Sequence, residues 1–447
     1  MNAQRKASTP FIGPTKTPSI NASLLGSSDS VGFFITGGGV VGEDLAVFIN
    51  DGYVTLPGIT ISQEAWAKSF FVSADCVVLG PAALYATAKY NMYGINKVSG
   101  DGLWTFTNTG WDNVGSGIIG DGSAPKQPGT RLLGYAPSPS FGAPSPSFGA
   151  PARRAVATGP SPTKTPTRTS SQTPTNFNKR CGYESFLFHP VVVPSRGLLI
   201  AVSLRCVYGV DLATGTAVWY RTSGDIVPGS YAALTFTTSL TLSEDELTFC
   251  GGLSSGSIFC MQTADGGLLW TTRVVATSGG IYNPLTISNR TVFVHGPAAV
   301  AAYTLLGAQL WNTTVPSSTQ PQVLISVLPA FVSPTVDAIA FTQSCKILVL
   351  STANGTLLRT ISTCSDGFAI ASAIAVDAVN ALFLVLTDTN QFFHTLYRVN
   401  ATSGVTTFSV NLPTLINSIA TPSYHTILVG NNALLVGDFA ASLYVYT

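Results

Sequence analysis

Outside two polar segments, apolar runs of about four to seven residues alternate with clusters of Gly, Asn, Asp, Ser and Thr along the whole chain. From Ser239 to Val274 the runs are broken by Ser-Glu-Asp-Glu, Ser-Ser-Gly and Asp-Gly-Gly, and Ile370 to Val410 repeats that layout with different residues. Such punctuation predicts short antiparallel strands joined by tight turns. The longest apolar stretch, Ala369 to Leu386, has Asp377 and Asn380 at its centre. It therefore reads as a hairpin, and no transmembrane segment is expected.

Superimposed on this alternation is a glycine followed four residues later by a bulky side chain. The copies are Gly100/Trp104, Gly215/Trp219, Gly266/Trp270, Gly307/Trp311, Gly355/Arg359 and Gly404/Phe408, with a weaker one at Gly52/Leu56. From Gly215 onward the glycines stand 51, 41, 48 and 49 residues apart. A period of about 40 to 50 residues holding three or four strands is that of a propeller blade. In each blade the last two strands need a tight turn, and glycine supplies its positive φ without a Cβ clash. Polar residues before it, such as Asp211, Asn354 and Asn400, are placed to bond the turn backbone. The tryptophan four residues on is expected to lie against the neighbouring blade.

The step from Gly100 to Gly215, 115 residues, breaks the period. Within it lies 136–176, which opens with two copies of APSPSFG and continues as GPSPTKTPTRTSSQTPT. Frequent proline and little to bury predict an extended, disordered insertion, and the polar segment 1–30 is read the same way. The domain reading is thus 1–30 disordered, 31–447 a β-propeller and 136–176 an insertion within it. The expected fold is all-β, with four-stranded antiparallel blades. Seven blades are favoured, with Tyr53 to Leu56 as the strand that closes the ring, and eight is the alternative.

Composition narrows the partners. Only 10% of residues are charged and the formal net charge is +1, so there is no electrostatic reason to expect nucleic acid. The first 23 residues lack an apolar core, and no signal peptide is visible in the given sequence.

At VYGVDLATGTAVW (Val207 to Trp219) the sequence resembles the pyrroloquinoline-quinone-type propeller repeat. MYGINKVSGDGLW (Met92 to Trp104) and IFCMQTADGGLLW (Ile258 to Trp270) are similar, and VAAYTLLGAQLW (Val300 to Trp311) keeps the glycine and tryptophan. The resemblance implies a ring of four-stranded blades, in a family holding both quinone-dependent dehydrogenases and cofactor-free assembly scaffolds. The enzymes of that family carry an adjacent Cys-Cys pair, which this sequence lacks. Fold is therefore not read as activity, and no cofactor, metal or catalytic residue is assigned.

Of the seven cysteines, Cys345 with Cys364 and Cys250 with Cys260 flank turns symmetrically, which places each pair for a cross-strand disulfide. Cys181 with Cys206 is a less favoured pairing. Disulfides would mean an oxidising compartment. His189, His295, His394 and His425 are scattered, as isolated structural histidines are. Five Asn-x-Ser/Thr sequons, at Asn21, Asn289, Asn312, Asn354 and Asn400, are about as many as chance supplies. The reading favoured is a non-catalytic propeller that binds a protein or glycan, extracellular or within a surface assembly. The alternatives are a quinone- or metal-dependent oxidoreductase and a structural subunit of a filament or coat.

Overall fold

In the computed structural model the described residues are 76–108 and most of 181–412, together with strands alone within 20–69 and 426–446. The chain divides into two units, Met1–Gly122 with Asn178–Thr447, and Ser123–Phe177. The second unit, the insertion 136–176, Cys345, Cys364 and His425 lie outside the described residues.

The described strands of the first unit form eight sheets; seven hold strands in consecutive order, one of them with a split first strand, and the eighth combines strands from both ends of the chain. Blade 1 comprises Val40–Val41, Ala46–Asn50, Tyr53–Pro57 and Glu64–Ser69. Blade 2 is Cys76–Leu79, Ala83–Ala88, Asn91–Asn96 and Gly102–Thr107. Blade 3 is Val191–Val193, Leu198–Val202, Cys206–Asp211 and Ala217–Thr222. Blade 4 is Thr241–Leu242, Thr248–Gly252, Ser257–Gln262 and Leu268–Arg273. Blade 5 is Thr286–Ser288, Thr291–His295, Ala299–Thr304 and Gln309–Thr314. Blade 6 is Ser326–Ser333, Val336–Gln343, Lys346–Ser351 and Leu357–Ser362. Blade 7 opens with the split strand Phe368–Ile370 and Ala375–Val376, then Ala381–Asp388, His394–Asn400 and Thr406–Asn411.

Blade 8 joins the two ends of the chain. Thr426–Gly430, Ala433–Gly437 and Leu443–Tyr446 are completed by Ile20–Ser23, which pairs antiparallel with Leu443–Tyr446. First strands of neighbouring blades touch from blade 1 to 3 and from blade 4 to 8, that of blade 8 touches that of blade 1, and blades 3 and 4 share a core, so the circle closes. Eight is the larger of the two counts expected from the sequence.

Two expectations are corrected here. Residues 20–23 belong to a sheet although 1–30 reads as disordered, because a closing strand is held by the edge it completes rather than by its own apolar content. Tyr53–Pro57 is the third strand of blade 1, not the closing strand, so the copy at Gly52/Leu56 stands one hairpin early. A glycine turn signal is the same for any hairpin, which is why sequence alone misplaced it.

The cores lie between blades rather than within them. Val191, Ile200 and Val207 of blade 3 pack with Phe249, Phe259 and Met261 of blade 4, and Cys250 and Ile258 of blade 4 pack with Val292, Val294 and Tyr303 of blade 5. A lone sheet of this size cannot bury both faces, so each blade gains its stability from its neighbours. In blades 4 and 5 the first three strands are almost wholly buried, whereas the fourth strands are exposed at most positions and partly or wholly buried at the others. In blades 2 to 7 the pairing of third and fourth strands slips by one residue at the same place, as at Gly209/Val210 and Cys260/Met261. That repeated bulge bends the fourth strand next to its bulky residue.

Candidate functional site

The glycine of the repeat makes the turn at all six positions and, at four of them, has a second task. Gly100, Gly215, Gly266, Gly307, Gly355 and Gly404 all have positive φ, between 66° and 88°, in the turn from third to fourth strand. Asp211 Oδ1 accepts from the backbone N–H groups of Ala213 and Thr214, and Asn400 Oδ1 does the same for Thr402 and Ser403. The second task is to leave room for the preceding blade. A Cβ on Gly215 would stand 2.6 Å from Trp104, on Gly266 2.6 Å from Trp219, and on Gly307 2.7 Å from Trp270, while on Gly355 it would collide with Trp311.

Each tryptophan also donates across the seam. Trp104 Nε1 bonds the Leu212 carbonyl at 2.7 Å, Trp219 the Thr263 carbonyl at 3.2 Å, Trp270 the Leu305 carbonyl at 2.8 Å and Trp311 the Thr352 carbonyl at 2.8 Å. Arg359, in the sixth blade's tryptophan position, keeps the bond, with Nη1 2.9 Å from the Ser403 carbonyl. Phe408, which has no donor, is buried among residues of blades 7 and 8. Trp104 meets the turn of blade 3 directly, so Gly100 and Gly215 belong to successive blades despite their long separation. In blades 2 and 3 the residue paired with the tryptophan in its own sheet is itself glycine, Gly94 opposite Trp104 and Gly209 opposite Trp219, and a Cβ there would collide with the indole.

Two disulfides are present among the described residues. Cys250–Cys260 joins directly opposed residues of the second and third strands of blade 4. Cys181–Cys206 ties the segment entering blade 3 to that blade's third strand, with a Cα separation of 5.9 Å. Beside it, Glu184 accepts from the Arg205 N–H at 2.7 Å and the Ser203 hydroxyl at 3.2 Å, so this entry is fixed at several points. Replacing Cys181 and Cys206 together by alanine is expected to lower stability by about 3 kcal/mol, the cost of freeing a loop of this length. Denaturant unfolding with and without reductant measures it, and the variant should lose that part of its sensitivity to reductant.

His189 and His295 have separate surroundings. His189 Nδ1 lies 3.4 Å from the Val77 carbonyl, and His295 is buried in blade 5 against Phe341 of blade 6, ring centroids 4.8 Å apart. Among the described residues no group of three or more His, Cys, Asp or Glu side chains has the arrangement to hold a metal ion. Burial disfavours the imidazolium and pulls the His295 pKa down to about 4. The unfolded chain takes up this proton near pH 6.5 and the folded chain only near pH 4. The protein is therefore expected to lose roughly 3 kcal/mol as pH falls through that window, with no contribution above it. Comparing unfolding of the parent and His295→Leu at pH 7 and at about pH 4.5 tests this, since the variant should show a shallower loss.

A buried ion pair went unseen in the sequence, where Asp377 registered only as a turn residue. Asp377 caps the turn after the first strand of blade 7, accepting from the Val379 and Ala381 N–H groups. Its other oxygen lies 3.8 Å from Arg398 Nη2, and both side chains are at most 9% exposed. Arg398 also donates to the Thr407 hydroxyl at 3.1 Å and stands over the Phe383 ring.

The surface is unequal on the two faces of the circle. Turns between first and second strands bond those between third and fourth strands in the same blade, as Thr263 N–H does to the Leu247 carbonyl and Ala401 N–H to the Asn380 carbonyl. They form one face. The ends of fourth strands bond the turns between second and third strands, as Val274 N–H does to the Gly256 carbonyl and Ser223 N–H to the Arg205 carbonyl. They form the other. All eleven exposed large apolar side chains among the described residues belong to the first face: they lie in its turns, as Val98, Leu247 and Leu306 do, or open a fourth strand, as Leu103, Leu269 and Leu310 do.

The family model described as outer membrane protein assembly factor BamB matches residues 205–432, half of the chain. The chain belongs to this PQQ-like β-propeller family. Solved structures agree on the architecture of the PQQ-like propeller. BamB from Moraxella catarrhalis superposes with a TM-score of 0.57 at 13% identity, covering 96% of this chain and 98% of its own. A europium-containing methanol dehydrogenase gives 0.61 at 10% identity, covering 100% and 96%, and the computationally designed Ika8 protein gives 0.58 at 11%, covering 95% and 99%. A search of curated proteins returns no match. An assembly factor, a dehydrogenase and a design on one scaffold leave the activity of this PQQ-like propeller to its own residues.

Proposed function

We propose that this PQQ-like propeller is a non-catalytic platform that holds a protein partner within a larger assembly. The observation that carries the reading is the confinement of every described exposed large apolar side chain to one face. Scattered singly such residues need no explanation, but gathered on one face of a rigid ring they mark a surface used in association. The family match to an assembly factor supports the same reading. Two disulfides favour an oxidising compartment, consistent with an extracellular or surface setting. A glycan is the alternative occupant, although the exposed large apolar side chains among the described residues of that face are leucines and valines rather than ring-stacking aromatics, which favours protein.

No helix among the described residues is long and apolar enough to cross a membrane. Native material purified gently should run as a stoichiometric complex with another protein and show only aromatic and peptide absorption. A quinone spectrum with oxidation of an added alcohol would replace the platform by the oxidoreductase alternative.

A further inference from the structure

The apolar face is not uniform, and its densest part is on blade 4. Leu247, in the turn between first and second strands, is 50% exposed, and Leu268 and Leu269, which open the fourth strand, are 40% and 39% exposed. They belong to one surface, because the Leu247 carbonyl accepts from both the N–H and the hydroxyl of Thr263 in the neighbouring turn. Leu268 follows directly on that turn.

The same two turns carry Glu244, Asp245, Glu246 and Asp265 and contain neither Lys nor Arg. Three arginines stand close by, and the first, Arg196 of blade 3, directly follows Ser195, whose N–H donates to the Glu246 carboxylate at 2.9 Å. Arg221 of blade 3 is spent on the carbonyls of Asp265 and Gly266, and against the opposing effect of burial the Asp245 carboxyl is held below the usual range by the Ser243 hydroxyl, the Leu247 N–H and, to a smaller extent, Arg290 of blade 5. Four carboxylates therefore share these turns with the leucines, beside three arginines of which one is held by backbone carbonyls, on a chain whose net charge is +1.

We infer that the blade 4 turns are the docking point, and that the segment of partner protein they take carries alternating apolar and basic side chains. This rests on the platform reading above and names its place and chemistry. Leucines alone would accept any apolar surface. The carboxylate excess selects a cationic one and repels an acidic one, including an anionic bilayer. Salt should weaken the contact, since exposed carboxylates steer and select through a screened field.

The test uses the full chain and two synthetic peptides, one of alternating leucine and lysine and one of alternating leucine and glutamate, with binding followed by fluorescence anisotropy. The lysine peptide is expected to bind, to weaken with added salt, and to bind at least about tenfold less well to the double variant Leu268→Ser, Leu269→Ser and to Glu244→Gln, Asp265→Asn. The glutamate peptide should not bind. All four side chains are exposed, and the amide introduced by Asp265→Asn can still accept the turn bond from the Gly267 N–H, so thermal unfolding of both variants should match the parent.

Equal binding of the two peptides, or lysine-peptide binding that survives both variants, overturns the assignment while leaving the platform reading to its native complex. Sedimentation adds one more contrary result: a dimer of the parent that Leu268→Ser, Leu269→Ser dissolves would give the patch to a second copy of this chain. Absence of any native complex, by contrast, removes the platform reading itself.

Discussion

Trp219→Ala is expected to destabilise the protein by about 3–5 kcal/mol, the range for truncating a large buried aromatic. The side chain is 5% exposed, stacks on Phe249 of blade 4 with centroids 6.0 Å apart and planes 10° apart, covers Gly266 and donates to the Thr263 carbonyl. Alanine would empty the seam between blades 3 and 4 and leave the Thr263 carbonyl without that donor. Denaturant unfolding measures the loss.

Its mechanism is tested by pairing it with Gly266→Ala. In the parent that second change is doubly unfavourable, through positive φ and through collision with the indole. In the Trp219→Ala background only the φ cost of about 1 kcal/mol is left, so the two changes should be less than additive by more than about 1 kcal/mol. Additivity would mean that tryptophan and glycine do not act as one unit.

Arg398→Leu is the second large effect, expected at about 3–5 kcal/mol, because it strands a buried carboxylate. Asp377 stays where it is, tied by the Val379 and Ala381 N–H groups, and loses the guanidinium 3.8 Å away. Adding Asp377→Asn should return about 1–3 kcal/mol, since an amide keeps the turn bonds without the charge. Thermal or denaturant unfolding of the two variants decides it. If the double variant is no better than Arg398→Leu alone, the arginine acts through packing on Phe383 rather than through the pair.

The repeated hairpins were legible because they depend on local chemistry. A glycine at positive φ, an Asp or Asn bonding the turn and a tryptophan four residues on are all visible within about a dozen residues. What joins one blade to the next was only half visible. That Trp104 should meet a neighbour follows from its size, but nothing near it names Leu212 or Gly215 as its partners, and the insertion hides the distance. The same holds for Arg359, whose seam bond to Ser403 looks in sequence like a lost tryptophan. Asp377, in a turn, and Arg398, on the third strand, are 21 residues apart, and what meets across a sheet is set by register, which sequence leaves open. The apolar face was invisible for another reason: leucines two or three residues after a glycine read as core, and only the exposure of fourth strands turns them outward.

The central claim is that the turns between first and second and between third and fourth strands make the docking face. A photo-crosslinking side chain placed at Leu269, and separately at Arg205 on the opposite face, tests it in the native host. One discrete protein adduct from position 269 and none from position 205 is the expected result. An adduct from position 205 alone would assign association to the other face and contradict the account.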